Sequence, residues 1–421
     1  MQIQFKMHRI QFIVFLIILC NFSLHGQQSE LTDKKSITLM FVGDVMGHGM
    51  QIKGSYDEKT GTYSYNDVFS RMESVFKLAD FTIANLEVTI AGAPFTGYPQ
   101  FSSPDELIDG LTNAGINVLV TANNHTVDRG KQGILRTINV LKSKGVPFAG
   151  SYRDSVHRDT AYPLILEQNG IRLALLNYTY GTNGIPIPYP TIVNLIDTVL
   201  IRADFNKAKS LEVDDVIAFI HWGVEYERNP SMEQLQLTRF MHDLGIKLVI
   251  GSHPHVIQRM EASFDSDSTE GRVVVFSLGN FVSNQRPRYR NGGSIAVIHI
   301  EKEDGVTKIA NAGYILAYVH TPKIDGKTRF QVLPVAKYEQ KRDFFLEQDQ
   351  TLFDEFANDS RNLLNSQNYN FPEISYRNEQ WIIPWGTKET LFPQKIKRIE
   401  PWNIGFSYPK KLSFDKGEIV L

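Results

Sequence analysis

Two histidines one residue apart, in Gly251-Ser252-His253-Pro254-His255-Val256, close the apolar run Lys247-Leu248-Val249-Ile250. A neutral ring nitrogen is the commonest metal ligand among side chains. Pro254 fixes its own φ and restricts the residue before it, so the spacing suits ligation. Taken alone, the hexapeptide is equally compatible with a polar turn in which both rings meet water. Other chemistry-bearing residues fall in the same kind of place: Asp44, Asn85 with Glu87, Asn124 with His125, and His221 each stand at or just beyond the end of a short apolar run. Nine histidines follow residue 27 and four of them occupy such ends, more than scattered surface histidines would give. Carboxylates, imidazoles and one amide oxygen make a ligand set for Zn, Mn or Fe rather than for an all-oxygen calcium site. A carboxylate can bridge two ions, which two-metal hydrolases hold roughly 3.5 to 4 Å apart, whereas a single zinc lowers the pKa of its water to about 7. One or two ions are both consistent with these residues.

The elements that must position these residues alternate. From Ser36 to about Ile250, short β-branched runs exchange with helical periodicity, which predicts βα units and a largely parallel buried sheet. Strands are expected at Ile37 to Val42, Phe81 to Leu86, Ile116 to Thr121, Leu164 to Leu166, Arg172 to Asn177, Asp215 to Ile220, Lys247 to Ile250 and Arg272 to Ser277. Further strands are expected at Ser294 to Ile300, Tyr314 to Val319 and Phe330 to Val335. A helix capped by Asn66-Asp67 carries the apolar stripe Val68, Phe69, Met72, Val75, Phe76 and Ala79, and others start at Ser103-Pro104, Gly130 and Ser231. In open α/β sheets ligands bind outside the carboxyl ends of strands, which is where the candidate ligands lie. A Gly/Pro/Tyr-rich loop from Tyr180 to Pro190 is long enough to form a wall of such a site.

With 421 residues, 42% of them hydrophobic, the chain can bury a large core. Forty-four basic and 46 acidic residues leave a formal charge of −2, so no global field recruits nucleic acid or an anionic membrane. Lys6, His8 and Arg9 precede the apolar run Ile10 to Cys20 and a short polar stretch ending near Gln27. That pattern predicts a signal peptide over residues 1–27, or an uncleaved N-terminal anchor that would be the chain's only membrane contact. The protein is therefore expected outside the cytoplasm: periplasmic, at the cell surface or extracellular. Cys20 is the only cysteine, so a cleaved chain has no disulfide and no thiolate ligand.

Six segments in order carry a resemblance: Gly43-Asp44-Val45-Met46, Ala84-Asn85-Leu86-Glu87, Ala122-Asn123-Asn124-His125, His221-Trp222-Gly223-Val224-Glu225-Tyr226, Gly251-Ser252-His253-Pro254-His255 and Ser277-Leu278-Gly279-Asn280-Phe281. Together they resemble the bacterial capsule-synthesis CapA (PgsA-like) family, associated with poly-γ-glutamate capsules and related to calcineurin-like metallophosphoesterases. The resemblance covers residues 36–335 and leaves 340–421 as a C-terminal extension of unassigned role. It implies a four-layer α/β/β/α sandwich of the metallophosphoesterase type. It also implies that Asp44 binds a first metal, that Glu87 bridges, that Asn124, His221 and His253 complete a second site, and that His255 returns to the first. His125 takes the place of the histidine that protonates a leaving group.

The phosphoesterases carry Asp-x-His in the first motif, and Met46 stands here in place of that histidine. His48 is the nearby candidate to rebuild the site. Asn85, Trp222, Glu225, Tyr226 and Asn280 are candidates for contacts to substrate. Arg286, Arg288 and Arg290 could hold a polyanion through bidentate hydrogen bonds. His157, His242, His299 and His320 are expected to be structural. The function implied is a metal-dependent hydrolase or transferase acting on an anionic cell-envelope polymer such as poly-γ-glutamate, with other capsule synthesis or export subunits as partners. The alternatives are a non-catalytic subunit of capsule assembly and a secreted metallophosphodiesterase.

Overall fold

The computed structural model describes residues 34–264 and 271–383. The expected signal peptide or anchor, Cys20 and the tail from 384 onward lie outside the described residues. Among the described residues no helix is long and apolar enough to cross a membrane.

Fourteen strands build two large sheets: β1 (Lys35–Val45), β2 (Phe81–Leu86), β3 (Val118–Val120), β4 (Phe148–Ala149), β5 (Leu164–Gln168), β6 (Ile171–Thr179), β7 (Asp215–His221), β8 (Leu248–Ser252), β9 (Met260–Ser263), β10 (Arg272–Val275), β11 (Asn280–Val282), β12 (Gly292–Glu303), β13 (Val306–His320) and β14 (Gln331–Pro334). The first sheet runs β14-β13-β12-β1-β2-β3-β4, with β11 pairing to the end of β1. The second runs β9-β10-β8-β7-β6-β5. Strands joined by helical crossovers pair in parallel, as with β1 and β2 or β7 and β8, while the hairpin-connected β12, β13 and β14 are antiparallel.

Alternation along the strands makes the layers. Leu39 and Phe41 of β1 face the second sheet and join Leu173, Leu175, Ile217, Phe219, Leu248 and Ile250 in the central core. Met40 and Val42 point the other way, onto the helical segments carrying Phe69, Met72, Phe76, Leu107 and Leu111. The outer face of the second sheet presents Ala174, Leu176, Val216, Ala218 and Val249 to helices carrying Ile201 and Met241. Sheets buried on both faces read as continuous apolar runs. The result is the four-layer α/β/β/α sandwich expected.

Among the longer helices are α1 (Glu106–Ala114), α2 (Gly130–Ser143), α3 (Thr198–Ser210), α4 (Met232–Leu244) and α5 (Glu347–Gln367). Ser231 opens α4 with a capping box to Gln234, and Gly245 ends it at φ +106°. Two expectations need correction. The segment from Asn66 is a chain of short turns, Asn66–Phe69, Ser70–Met72 and Glu73–Phe76, with Tyr65 rather than Asn66 at its N-cap. Its apolar stripe is right but packing overrides a single helix. Ser103 does not cap α1: its backbone N–H donates to the Thr89 carbonyl, and the helix begins after Asp105.

Helix α5 belongs to the same core. Phe353, Phe356, Leu363 and Leu364 are buried with the inter-sheet residues, and Phe353 meets Tyr318 of β13 edge to face with ring centroids 5.4 Å apart. Phe353→Ala is therefore expected to cost about 3 to 5 kcal/mol in urea denaturation, the penalty for emptying a buried aromatic position.

His320, at the end of β13, packs against Phe344 and Phe345. Burial, then the Arg286 and Arg71 charges, hold its imidazole down at about 4. The unfolded chain takes up that proton near pH 6.5 and the folded chain does not, so this contribution is present above pH 6.5 and is lost as pH falls toward 4. Between those values the urea midpoint of the native protein should fall more steeply than that of His320→Gln.

Candidate metal centre

The two sheets meet so that the carboxyl ends of β1, β2, β7 and β8 converge. Asp44 pairs with Asn280 of β11 on one side and with Asn85 of β2 on the other, at a break in the register of β1. Its backbone N–H donates to the Gly279 carbonyl at 3.0 Å. A Cβ on Gly43 would lie 2.0 Å from the same oxygen, so only glycine lets the two strand ends close.

Asp44 is wholly buried. Its Oδ1 accepts from Asn85 Nδ2 at 2.9 Å and its Oδ2 lies 3.1 Å from His255 Nδ1. Burial works to raise this carboxyl, but the hydrogen bond and charge of His255, with the Asn85 amide, leave it below the usual carboxylate range. Asn280 Oδ1 lies 3.1 Å from the same His255 nitrogen. Asn280 Nδ2 donates to the carbonyls of His255 and Arg290, so this residue positions the His-Pro-His turn.

Glu87 follows β2, is wholly buried, and has no hydrogen-bond partner for either carboxylate oxygen. Its Oε1 lies 3.6 Å from His221 Nε2 and 3.7 Å from His255 Nε2. Burial, then the neighbouring Asp44 charge, push its pKa well above the ordinary range. His221 Nε2 is 2.9 Å from Asn124 Oδ1, while its Nδ1 is 3.2 Å from Ser252 Oγ and from Asn85 Nδ2. Burial, then the neighbouring imidazoles, hold His221 well below its usual range and His253 down at about 3.

Three groups of ligand atoms each converge within 4.8 Å: Asp44 with Glu87 and His255, Glu87 with His221 and His253, and Glu225 with His253 and His255. Buried carboxylate oxygens and the His253 Nδ1, all without partners, fit divalent cations, which is what such groups require when nothing else compensates them. Glu87 is common to the first two groups, as a bridge would be. The two histidines reach these positions by an unexpected route: His253 lies at φ +102° and His255 at φ +58°. Pro254 thus does not leave His253 extended. The turn is strained, and the His253 N–H, 3.4 Å from Asp44 Oδ2, helps hold it.

The remaining candidates separate. His125 Nδ1 is 2.8 Å from Asp128 Oδ2, which also accepts the Phe101 N–H. Met46 is buried among apolar side chains and offers no imidazole. His48 is engaged locally, its Nδ1 accepting the Asn284 N–H at 3.3 Å and lying 3.2 Å from Gln51 Oε1; the convergent groups among the described residues do not include it. Trp222, 2% exposed, donates its indole N–H to the Phe276 carbonyl and belongs to the core. Tyr226 is at the rim beneath Arg290, whose guanidinium carbon is 3.3 Å from the ring centroid. Arg286 donates to the Val319 carbonyl. Arg288 grips Asp359 of α5 with two bonds of 2.7 and 2.8 Å, so it serves as a clamp on that helix.

Three contributors were not anticipated. Asp128 orients His125 from three residues along the chain, a spacing that could have flagged it. Tyr180 lays its ring 4.6 Å from that of His253, and Asn183 accepts from Asn124 Nδ2 at 3.2 Å. Both lie in the Gly/Pro/Tyr-rich loop, which indeed walls the site.

Carboxylates, imidazoles and a carboxamide gathered at strand ends between two buried sheets make this a four-layer protein with a candidate metal centre. Residues 38–285 match the family of bacterial capsule synthesis proteins described as PGA_cap, and the chain belongs to that family. It is 29% identical over 265 residues to the capsule biosynthesis protein CapA of Bacillus anthracis, covering 60% of this chain. The chain thus spans 61% of that relative's length. It is 28% identical over 280 residues to the PGA biosynthesis protein CapA of Bacillus subtilis, covering 63% of this chain and 68% of that one. Among solved structures, the NAD nucleotidase of Haemophilus influenzae aligns with a TM-score of 0.42 at 12% identity, over 78% of this chain and 68% of that one. The calcineurin-like phosphoesterase YfkN of Bacillus subtilis aligns with a TM-score of 0.38 at 13% identity, over 79% and 99%.

Glu87 supplies a prediction about metal removal. Below the ordinary carboxylate pKa it is protonated in folded and unfolded chains alike. At neutral pH only the unfolded chain ionises it freely, so in chelator it costs stability as pH rises. Glu87→Gln should melt higher than the native protein in chelator at pH 7. It should also lose the upward shift in melting temperature that added Mn2+ gives the native protein.

Proposed function

We propose that this chain is an exported, metal-dependent hydrolase or transferase that acts on an anionic cell-envelope polymer, with poly-γ-glutamate the first candidate. Membership of the capsule-synthesis family supports the biological setting. The observation that carries the chemistry is Glu87, a fully buried carboxylate with both oxygens unpartnered between His221 and His255. One or two divalent ions held by Asp44, Glu87, Asn124, His221, His253 and His255 would supply Lewis acidity to a phosphoryl or acyl oxygen.

The chain's own residues supply the rest. Asp128 fixes the His125 ring by accepting at Nδ1, which leaves Nε2 to carry the proton. A water oxygen bonds to the acyl carbon or phosphorus and gives up a proton to solvent, the bond to the leaving nitrogen or oxygen breaks, and His125, as the imidazolium, gives that atom its Nε2 proton and takes one back from solvent. In the transferase version, an acceptor group on a second chain takes the place of water. Tyr180, Tyr226 and Arg290 form the rim over which an extended anionic chain is drawn.

One observation favours a second reading. Met46 places a core side chain where a ligand is expected, which suits a scaffold that binds polymer and capsule partners without turnover. His125→Ala separates the two. In the catalytic reading, release of fragments from poly-γ-glutamate falls about 10²- to 10⁴-fold while the metal content of the purified protein is unchanged. Unaltered capsule production by cells carrying that variant would overturn it in favour of the scaffold. Cleavage of a simple phosphodiester, with the polymer left intact, would point instead to a secreted phosphodiesterase.

A further inference from the structure

The two convergent groups that share Glu87 are unequal. One has four protein donors, because Asn124 Oδ1, 2.9 Å from His221 Nε2, joins Glu87, His221 and His253. The other has three: Asp44, Glu87 and His255. Position 46 adds nothing, since the Met46 side chain is buried in the apolar layer below the strand.

A further donor approaches both histidines of the His-Pro-His turn from the rim. A carboxylate oxygen of Glu225 lies within 4.8 Å of ligand nitrogens of both His253 and His255. Glu225 is part-exposed while both imidazoles are buried, so it approaches from the open side of the centre. Its position is built. The Tyr226 N–H donates to the Pro254 carbonyl at 2.7 Å, tying the loop after β7 to the His-Pro-His turn itself. Gly223 at φ +90° and Tyr226 at φ +71° turn the loop back over the site, and Arg290 covers the Tyr226 ring. A buried acceptor waits beside it, the His253 Nδ1 that has no partner.

We propose that Glu225 is a metal ligand that acts with His255, whose ion position Met46 leaves short of a donor, and closes that position from the rim beside His253. This rests on the metal-dependent reading above. Because Glu225 comes from an exposed loop, it is also the ligand that an incoming anionic group can displace without disturbing the buried ones.

The test is Mn2+ titration of the full chain by calorimetry, with electron paramagnetic resonance of the loaded protein, for the native chain, Glu225→Gln, His255→Ala and His221→Ala. The expected result is two ions in the native protein and a spin-coupled pair. Glu225→Gln should bind one of them at least tenfold more weakly, lose the coupled signal at subsaturating Mn2+, and show no further loss when combined with His255→Ala. His221→Ala should weaken the other ion. Melting in chelator confirms that Glu225→Gln is folded. Two ions bound by Glu225→Gln with native affinity overturn the proposal and leave the metal-dependent function standing. A native protein that binds a single ion also overturns it, leaving a one-ion centre. No ion bound by the native protein overturns both.

Discussion

A carboxylate with no hydrogen bond, in the middle of a protein, is the constraint from which the rest of this structure follows. Moving an ion of that size out of water carries a penalty of several kcal/mol even after the protein relaxes, and Glu87 meets no donor that offsets it. The surrounding imidazoles do not neutralise it by protonation, because burial holds His221 and His253 below their ordinary range. They remain neutral lone-pair donors, which is the form a cation needs. The same burial that makes Glu87 costly to the empty protein prepares its neighbours as ligands. Stability and cation binding are thus set against each other at one residue.

Holding that arrangement requires two sheets. Asp44, Asn85 and Glu87 come from the first, His221, His253 and His255 from the second, and amide side chains cross between them. Asn177 of β6 accepts the Ala122 N–H and donates to the Phe219 carbonyl, so the end of β3 is fixed to the second sheet just before Asn123-Asn124-His125. The positive φ angles of His253 and His255 cost of order 1 to 3 kcal/mol each, and the packed strand ends around the turn over-determine them. Asp44 and His221 sit in strands, Glu87, Asn124, His253 and His255 in the tight segments directly after strands, and Tyr180, Asn183 and Tyr226 in longer loops.

What the sequence disclosed divides along the same line. Strand runs such as Phe81 to Leu86 are visible because a sheet buried on both faces is apolar throughout, and the ligands are visible because they interrupt or follow those runs. The turns from Asn66 to Phe76 kept their apolar positions but not their helix, since the stripe reports which side is buried and not whether the hydrogen bonds are continuous. Trp222 read as a cleft residue because it follows a ligand. Its indole instead donates to the Phe276 carbonyl, a contact between residues far apart in sequence that no local pattern encodes. Asp128 was overlooked for a related reason: its role exists only through the ring of His125. The strained turn at His253 runs against the local preference that Pro254 imposes, and a local rule gives way where long-range packing fixes the geometry.

The basic loop shows how charge in a sequence can mislead about partners. Arg286, Arg288 and Arg290 look like a polyanion site because three guanidinium groups stand two residues apart. In the folded chain Arg288 is held by Asp359 and Glu355 of α5, and Arg286 donates to the end of β13. Arg228 stacks on Tyr289 of the same loop and donates to the Asp359 carbonyl. Two of the three arginines therefore hold down the loop, and Arg290, spread over Tyr226 beside the candidate metal ligands, is the one placed at the rim. An anionic polymer would meet there one cation on an aromatic ring, not a basic groove. In the proposed function, discrimination among anionic chains would rest on the candidate ion-binding residues and the shape of the aromatic rim, and helix α5 would contribute through Asp359, which holds Arg288 and Arg228.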